Sequence, residues 1–287
     1  MEKRIENAVM DQERALYGIC DAQVMGCRFE GPADGESALK ECDRVTVRDS
    51  FFALRYPFWH DRVLEIHGCR LTPQCRAALW YSSDVTITDT ELHGIKALRE
   101  CDRVTMKNCD VQSAEFGWNT RVLAMENVIA AGEYFLMGCR DLRLKGLRLK
   151  GKYSFQYVEN ALLENCVLDT KDALWHAKNV TVRNSTVKGE YLAWYCENVT
   201  FENCRIIGTQ PLCYCKGLKL VDCRMEQTDL AFERSEVEAT VTTPVLSIKN
   251  PYAGSIAVPE VGEIILDDPA ARCDIIVKGI KYEKTMV

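Results

Sequence analysis

Five tryptophans, Trp59, Trp80, Trp118, Trp175 and Trp194, are each followed by a polar or hydrogen-bonding residue: His60, Tyr81, Asn119, His176 and Tyr195. Aromatic faces stack on the apolar C–H surfaces of sugars, while neighbouring polar groups take the hydroxyls. Trp59, Trp80, Tyr81, Trp118, Trp175, His176, Trp194 and Tyr195 are therefore the candidate ligand-binding residues, with a carbohydrate as the expected ligand. His60 beside Asp61 supplies the types needed for a general acid or base and forms the candidate catalytic pair. Two carboxylates that hydrolyse a glycoside stand roughly 5–10 Å apart. Asp169 with Asp172, and Asp110 with Glu115, are neighbours in sequence, and nothing beyond that nearness supports either pair. For each of His60, His67, His93 and His176 the simpler reading is a surface histidine on a strand.

These residues take their meaning from a repeat. "ENVTFENCRIIG" from Glu197 is preceded by "KNVTVRNSTVKG" from Lys178 and "DRVTMKNCDVQS" from Asp102. Aligned on the residue that ends the apolar run, the column reads Gly26, Asp49, Gly68, Asp89, Asn108, Asn127, Gly146, Asn165, Asn184, Asn203 and Asp222. From Asn108 onward the step is 19 residues each time. Asn, Asp and Gly are the types that tolerate left-handed backbone, so the column reads as one corner of a coil.

Before the corner, Val180 and Val182 alternate with Thr181, and Val199 and Phe201 with Thr200. Period two with β-branched residues predicts a strand with one buried face. A second apolar position follows the corner at Val111, Leu168, Val187 and Ile206. A third lies about ten residues before it, at Phe58, Leu79, Leu98, Phe155, Leu174 and Leu212. One coil cannot bury its inner face alone, whereas stacked coils pair each strand with its copies above and below. The pattern predicts an all-β, single-stranded parallel β-helix with three short strands per coil and about 11–12 coils of about 19 residues. Right-handedness follows from the general preference of parallel crossovers.

No linker interrupts the register, so residues 1–287 read as one domain. Residues 1–16 are charged, with helical character, and read as an N-terminal cap covering an open sheet edge. Residues 17–234 form the regular coils, and 235–287 form irregular final coils and a C-terminal cap in which "CDIIVKGIKY" supplies a last strand. The Trp column lies nine residues before the corner, next to an inward Leu column, and so points outward. Lys40, Arg99 and Gln156 interrupt this stripe and offer hydrogen bonds or a contact to an acidic sugar. Two other readings stand beside the sugar groove: a stripe covered by the chain's own ends, or an oligomer interface with a second copy.

Eleven of the fifteen cysteines fall in two inward columns, one just after the corner and one seven before it, alternating with Ser, Thr and small apolar residues. They read as buried reduced thiols, which suit the cytoplasm. No metal and no cofactor are expected, because "CYC" at Cys213 lacks zinc-ligand spacing. A net charge of -6 and a pI of about 5.4 disfavour nucleic-acid binding. The start has no apolar h-region and the chain has no long apolar run, so neither a secretory signal nor a transmembrane helix is expected. "NVT" at Asn179 and Asn198 belongs to the strand pattern and is not read as a glycosylation signal.

The stretch "ALWHAKNVTVRNSTVKGEYLAWYCENVTFENCRIIG", with "ERALYG" at Glu13 and "SIKNPYAGSI" near the end, resembles a family of bacterial proteins of unknown function with a pectin-lyase-like right-handed β-helix. The resemblance runs over nearly the whole chain and implies the fold and a cytosolic single domain, with no activity attached. The wider superfamily includes polygalacturonases and pectate lyases. Of their signatures this chain has "NTR" at Asn119 in place of "NTD", a "DD" only at Asp267–Asp268, and neither "GHG" nor "RIK". A polysaccharide lyase or glycoside hydrolase is thus the alternative to a non-catalytic binding protein, since fold alone does not license function.

Overall fold

Val180 and Val182, alternating with Thr181, form the strand Lys178–Arg183 in a computed structural model of the chain, with both valines buried. Parallel partners lie on both sides, with Ala161 and Val199 in register with Val180. Residues 3–283 are described. The fold is the expected right-handed parallel β-solenoid, with about 19 residues per turn and no helix among the described residues. There are about 14 turns rather than 11–12. The chain divides into two compact units, Met1–Arg148 and Leu149–Val287. The 19-residue step passes through that division unbroken, which is why the sequence reads as one domain.

In the first unit, six-residue strands from Cys20–Met25 to Arg140–Lys145 form one parallel ladder, with Val45, Leu64, Val85, Val104, Leu123 and Leu142 in register on the buried face. Short strands after the corner, such as Phe51–Phe52 and Arg70–Leu71, form a second ladder. Phe58–Trp59, Leu79–Trp80 and Leu98–Arg99 form a third. Lys3–Glu6 and Val9–Met10 pair in parallel with Cys20–Met25 and Arg28–Phe29. The N-terminal segment is therefore a first turn of strands and not a helical cap: parallel pairing needs only backbone, and its charged side chains Lys3, Arg4 and Glu6 are exposed.

In the second unit the same two ladders run through Lys178–Arg183 and Glu197–Glu202, and through Val167–Lys171, Thr186–Lys188 and Arg205–Ile207. Between residues 153 and 235 no third strand forms among the described residues, and one returns only in the terminal turns, where Val245–Lys249 pairs in parallel with Val261–Ile265. Instead Tyr191, Ala193 and Tyr195 have φ of 55, 56 and 58°, and Asp172, Leu174 and His176 repeat the pattern. A left-handed residue at every second position curls the segment into turns where three strands per coil are expected. Strands Glu236–Val241, Ala253–Val258 and Asp274–Val277 continue the first ladder past the last Asn/Asp/Gly corner, and Ile280–Lys281 closes it antiparallel. These terminal turns account for the larger turn count.

The corner column is left-handed, with φ of 53° at Asn108 and 49° at both Asn184 and Asn203. Its side chains form ladders: Asn203 Nδ2 donates to Asn184 Oδ1 at 2.8 Å. A second left-handed column lies five residues earlier, at Asp84, Asn160, Asn179 and Asn198. Asn198 Nδ2 donates to Asn179 Oδ1 at 3.2 Å there.

All fifteen cysteines are free. The inward thiols are more than small hydrophobes. Cys101 Sγ lies 3.3 Å from Arg99 O and 3.5 Å from Leu79 O, so its S–H bonds to its own turn or the turn before. Ser50, Thr90 and Ser185 donate their hydroxyls to the carbonyl two residues back in the same way. A small side chain with one donor is what these columns require, and Cys, Ser and Thr all provide it.

Candidate functional site

The Leu column is buried and the Trp column beside it is half-buried, as period two dictates. Each indole N–H has a partner on the following turn. Trp59 Nε1 donates to Ala77 O at 2.6 Å, Trp80 to Lys96 O at 2.9 Å, and Trp118 to Tyr134 O at 2.7 Å. Trp175 and Trp194 donate to Tyr191 O and Gln210 O, both at 2.7 Å. Every one of these acceptors is left-handed, with φ between 46° at Gln210 and 56° at Lys96. A left-handed peptide turns its carbonyl out of the strand ladder, and the indole satisfies it. Gln156, which interrupts the column, does the same through its amide to Asp172 O at 3.2 Å.

In the first unit the indole faces are covered. Trp59 and Trp80 stack at 5.0 Å and 3°. Lys40 Nζ lies over Trp59 at 5.9 Å, and the Arg99 guanidinium lies 5.2 Å from both Trp80 and Trp118. Lys40 and Arg99 extend the stack as cations over rings, where the sequence suggests open hydrogen-bonding positions. Trp59, Trp80 and Trp118 thus bind the turns of the unit to one another.

The second unit carries a longer ring ladder. His176 lies between Tyr157 and Tyr195 at 5.0 and 5.1 Å, and Tyr195 stacks on Tyr214 at 4.9 Å. Trp175 and Trp194 stack beside it at 5.4 Å and 4°. Tyr157 and Tyr195 are 54% and 45% exposed, so the ladder is open to solvent. Its rings lie within 7–12° of parallel and cover one another's faces. The sugar platform expected from the sequence is corrected in this respect: inner rings present edges, a row of phenol and imidazole polar atoms about one strand spacing apart. Spacing in the sequence fixes the column but not the tilt of the rings.

His60 and Asp61 separate. His60 is exposed and stacks on Tyr81 at 5.0 Å. Asp61 is 1% exposed and occupies the inward thiol column, where Oδ1 accepts the Cys42 N–H at 2.8 Å and its own N–H goes to Ser82 Oγ at 3.0 Å. Burial pushes its carboxyl up to about 8, the Cys42 N–H opposes this, and the Glu41 charge adds to it. The catalytic pairing proposed from adjacency does not form.

The second unit also holds an open cleft of ≈ 600 Å³. Gly151, Gly189 and Gly208 line it together with Asp169, Lys171, Lys188, Glu190, Ile207, Thr209 and Gln227. Lys188 pairs with Asp169 at 3.6 Å. Gly208 has φ 133°, and a Cβ there would stand 2.3 Å from Gly189 O, so only glycine lets the turns approach this closely. Asp172, the sequence partner of Asp169, is buried away from solvent, and that burial raises its carboxyl. Sequence reasoning singled out Asp169 and missed the rest of the cleft. The available signal was glycine recurring in the 19-residue step, at Gly132, Gly151, Gly189 and Gly208. Among the described residues no group of three or more His, Cys, Asp or Glu side chains is arranged to hold a metal ion.

Residues 3–277 match the model of a family described as "Protein of unknown function (DUF3737)". No curated protein sequence matches the chain. Solved structures similar to it include PfbA, a surface adhesin of Streptococcus pneumoniae, at 10% identity and TM-score 0.35, covering 81% of this chain and 72% of that one. The A-module of the Azotobacter vinelandii mannuronan C-5 epimerase AlgE4 is 10% identical, TM-score 0.34, covering 96% and 88%. A tailspike protein of E. coli bacteriophage HK620 is 10% identical, TM-score 0.42, covering 90% and 62%. The likeness is one of fold alone.

Proposed function

The chain belongs to the DUF3737 family of unknown function, and from that premise we propose that it is a glycan-binding solenoid whose ligand lies along the aromatic face of the second unit. The observation that carries this reading is the Tyr157–His176–Tyr195–Tyr214 ladder, exposed at Tyr157 and Tyr195 and half-buried at His176 and Tyr214, whose hydroxyl donates to Glu233. A row of phenol and imidazole edges at a regular rise suits an extended ligand with regularly repeated hydroxyls. The Trp175 and Trp194 indoles flank the row, and their N–H groups are already committed to the backbone. They supply apolar surface, and the ladder supplies polarity. The first unit contributes its Trp59–Trp80–Trp118 column to cohesion. Fifteen free thiols fit a reducing compartment, and we place the protein in the cytoplasm on that basis.

The test is isothermal titration of the full chain with a panel of oligosaccharides, repeated on Tyr195→Ala and His176→Ala. Binding weakened at least about tenfold by either change, with the circular dichroism melt preserved, is the expected result. Absence of binding across the panel, or binding indifferent to both substitutions, removes the reading. Light scattering on the same samples identifies the competing occupant: a dimer dissolved by Tyr195→Ala assigns the face to a second copy of the chain.

A further inference from the structure

We infer that the glycine-lined cleft of the second unit is a subsite for an uncharged polyhydroxylated ligand, a neutral oligosaccharide. This rests on the glycan-binding reading and specifies its substrate class. The volume, ≈ 600 Å³, falls within the ~300–1,000 Å³ typical of ligand sites. The lining offers two cations, Lys171 and Lys188, and two anions, Asp169 and Glu190. Of these four, among the described residues only Lys188 and Asp169 form an ion pair, so Lys171 and Glu190 keep their heads for a ligand; the neighbouring Asp172 carboxyl feels both charges, but burial, the largest influence, pushes it toward its neutral form.

The balance of charge decides the ligand. A polyanion would meet Asp169 and Glu190, and a polycation would meet Lys171 and Lys188. A neutral polyol uses the ammonium groups as donors and the carboxylates as acceptors, with no net field to overcome. Thr209 and Gln227 add uncharged groups of both kinds. The cleft is joined to the aromatic face through Tyr191, the residue after Glu190. Tyr191 O accepts the Trp175 indole N–H, and its ring stands edge-on to Trp194 at 5.4 Å and 81°. The cleft and the aromatic face thus adjoin at Tyr191.

The test uses the full chain and calorimetry with cellohexaose, laminarihexaose, maltohexaose and mannohexaose, and with hexagalacturonate as the charged counterpart. A neutral hexasaccharide is expected to bind with an affinity that 0.5 M NaCl leaves within about twofold. Ile207→Trp, which fills the cleft from a half-exposed lining position, is expected to weaken it at least about tenfold, and Glu190→Gln about fivefold. Lys188→Met serves if Ile207→Trp does not fold. Binding of hexagalacturonate alone overturns the inference. Neutral binding that Tyr195→Ala weakens and the cleft variants leave unchanged overturns it too, while the aromatic reading stands. No binding by any probe removes both.

Discussion

Asp61 Oδ1 accepts the backbone N–H of Cys42 at 2.8 Å, inside the core and one turn away. Asp61 Oδ2 is buried without a hydrogen-bond partner among the described residues. With its carboxyl pushed up to about 8, chiefly by burial, the folded state keeps a proton that the unfolded chain releases near pH 4. The contribution of this group to stability is therefore full below about pH 4 and declines as pH rises, until the folded group itself ionises near 8. Urea melts of the wild type are expected to lose stability from pH 5 to 8 relative to Asp61→Asn. At pH 8 the variant is expected to be more stable by on the order of 2–3 kcal/mol. Parallel profiles would show that Asp61 does not carry this proton.

Val122 has φ 52° and Val63 φ 50°, in the column that elsewhere holds Asp84, Asn160, Asn179 and Asn198. A β-branched residue in left-handed backbone is strained by roughly 1–2 kcal/mol, and asparagine relieves most of it. Val122 is 49% exposed, so its replacement sacrifices little burial. Val122→Asn is expected to stabilise the chain by about 1 kcal/mol, an upward shift of roughly 2 °C by calorimetry. A lower melting temperature would mean that the surrounding turns already accommodate the valine.

These positions mark what the sequence discloses. The corner at Asn108, Asn184 and Asn203 is legible because few residue types accept its backbone. The left-handed turns at Leu174, His176, Ala193 and Tyr195 are not, because those types carry no preference for positive φ and are held there by the stack. The inward columns were legible from period two, but Asp61's place among the thiols, and with it its separation from His60, shows only once side chains have directions. Terminal turns such as Lys3–Glu6 escape notice because a parallel ladder asks only for backbone. The cleft was half legible: its glycines recur in step, whereas Lys171, Lys188 and Glu190 are ordinary surface types until the fold brings them together.

Trp175→Phe separates cohesion from binding. Phenylalanine keeps much of the stack on Trp194 but leaves Tyr191 O without the indole donor. A lost hydrogen bond to a half-buried carbonyl costs about 1–2 kcal/mol. The expected outcome is that much lower stability in denaturant, with oligosaccharide affinity within about twofold of wild type, since the indole N–H already belongs to the backbone. If affinity falls tenfold while stability holds, the ligand uses more of the Trp175 indole than the apolar face that phenylalanine retains.

The thiols provide a test of the interior as a whole. Cys20 is exposed, while Cys101 and Cys139 lie in the core, where burial pushes each thiol up to about 12 and the S–H is held by a carbonyl. Only a thiolate attacks an aromatic disulfide reagent, so a high pKa and burial suppress the reaction together. Native protein treated with Ellman's reagent at pH 8 is expected to release about one equivalent quickly, from Cys20, and to lose that phase in Cys20→Ser. Cys273 is only partly covered, and burial pushes its thiol up to about 12 as well, so it reacts slowly. The remaining thiols require unfolding, and in denaturant the count rises to fifteen. In the same columns, Cys109→Ser is expected to cost less than about 1 kcal/mol, because serine can donate to Lys107 O as the thiol does and as Thr90 donates to Thr88 O one turn earlier. Rapid labelling of several thiols in the folded chain would mean that the turns part readily enough to admit the reagent, and the close stacking on which both proposed subsites depend would be refuted.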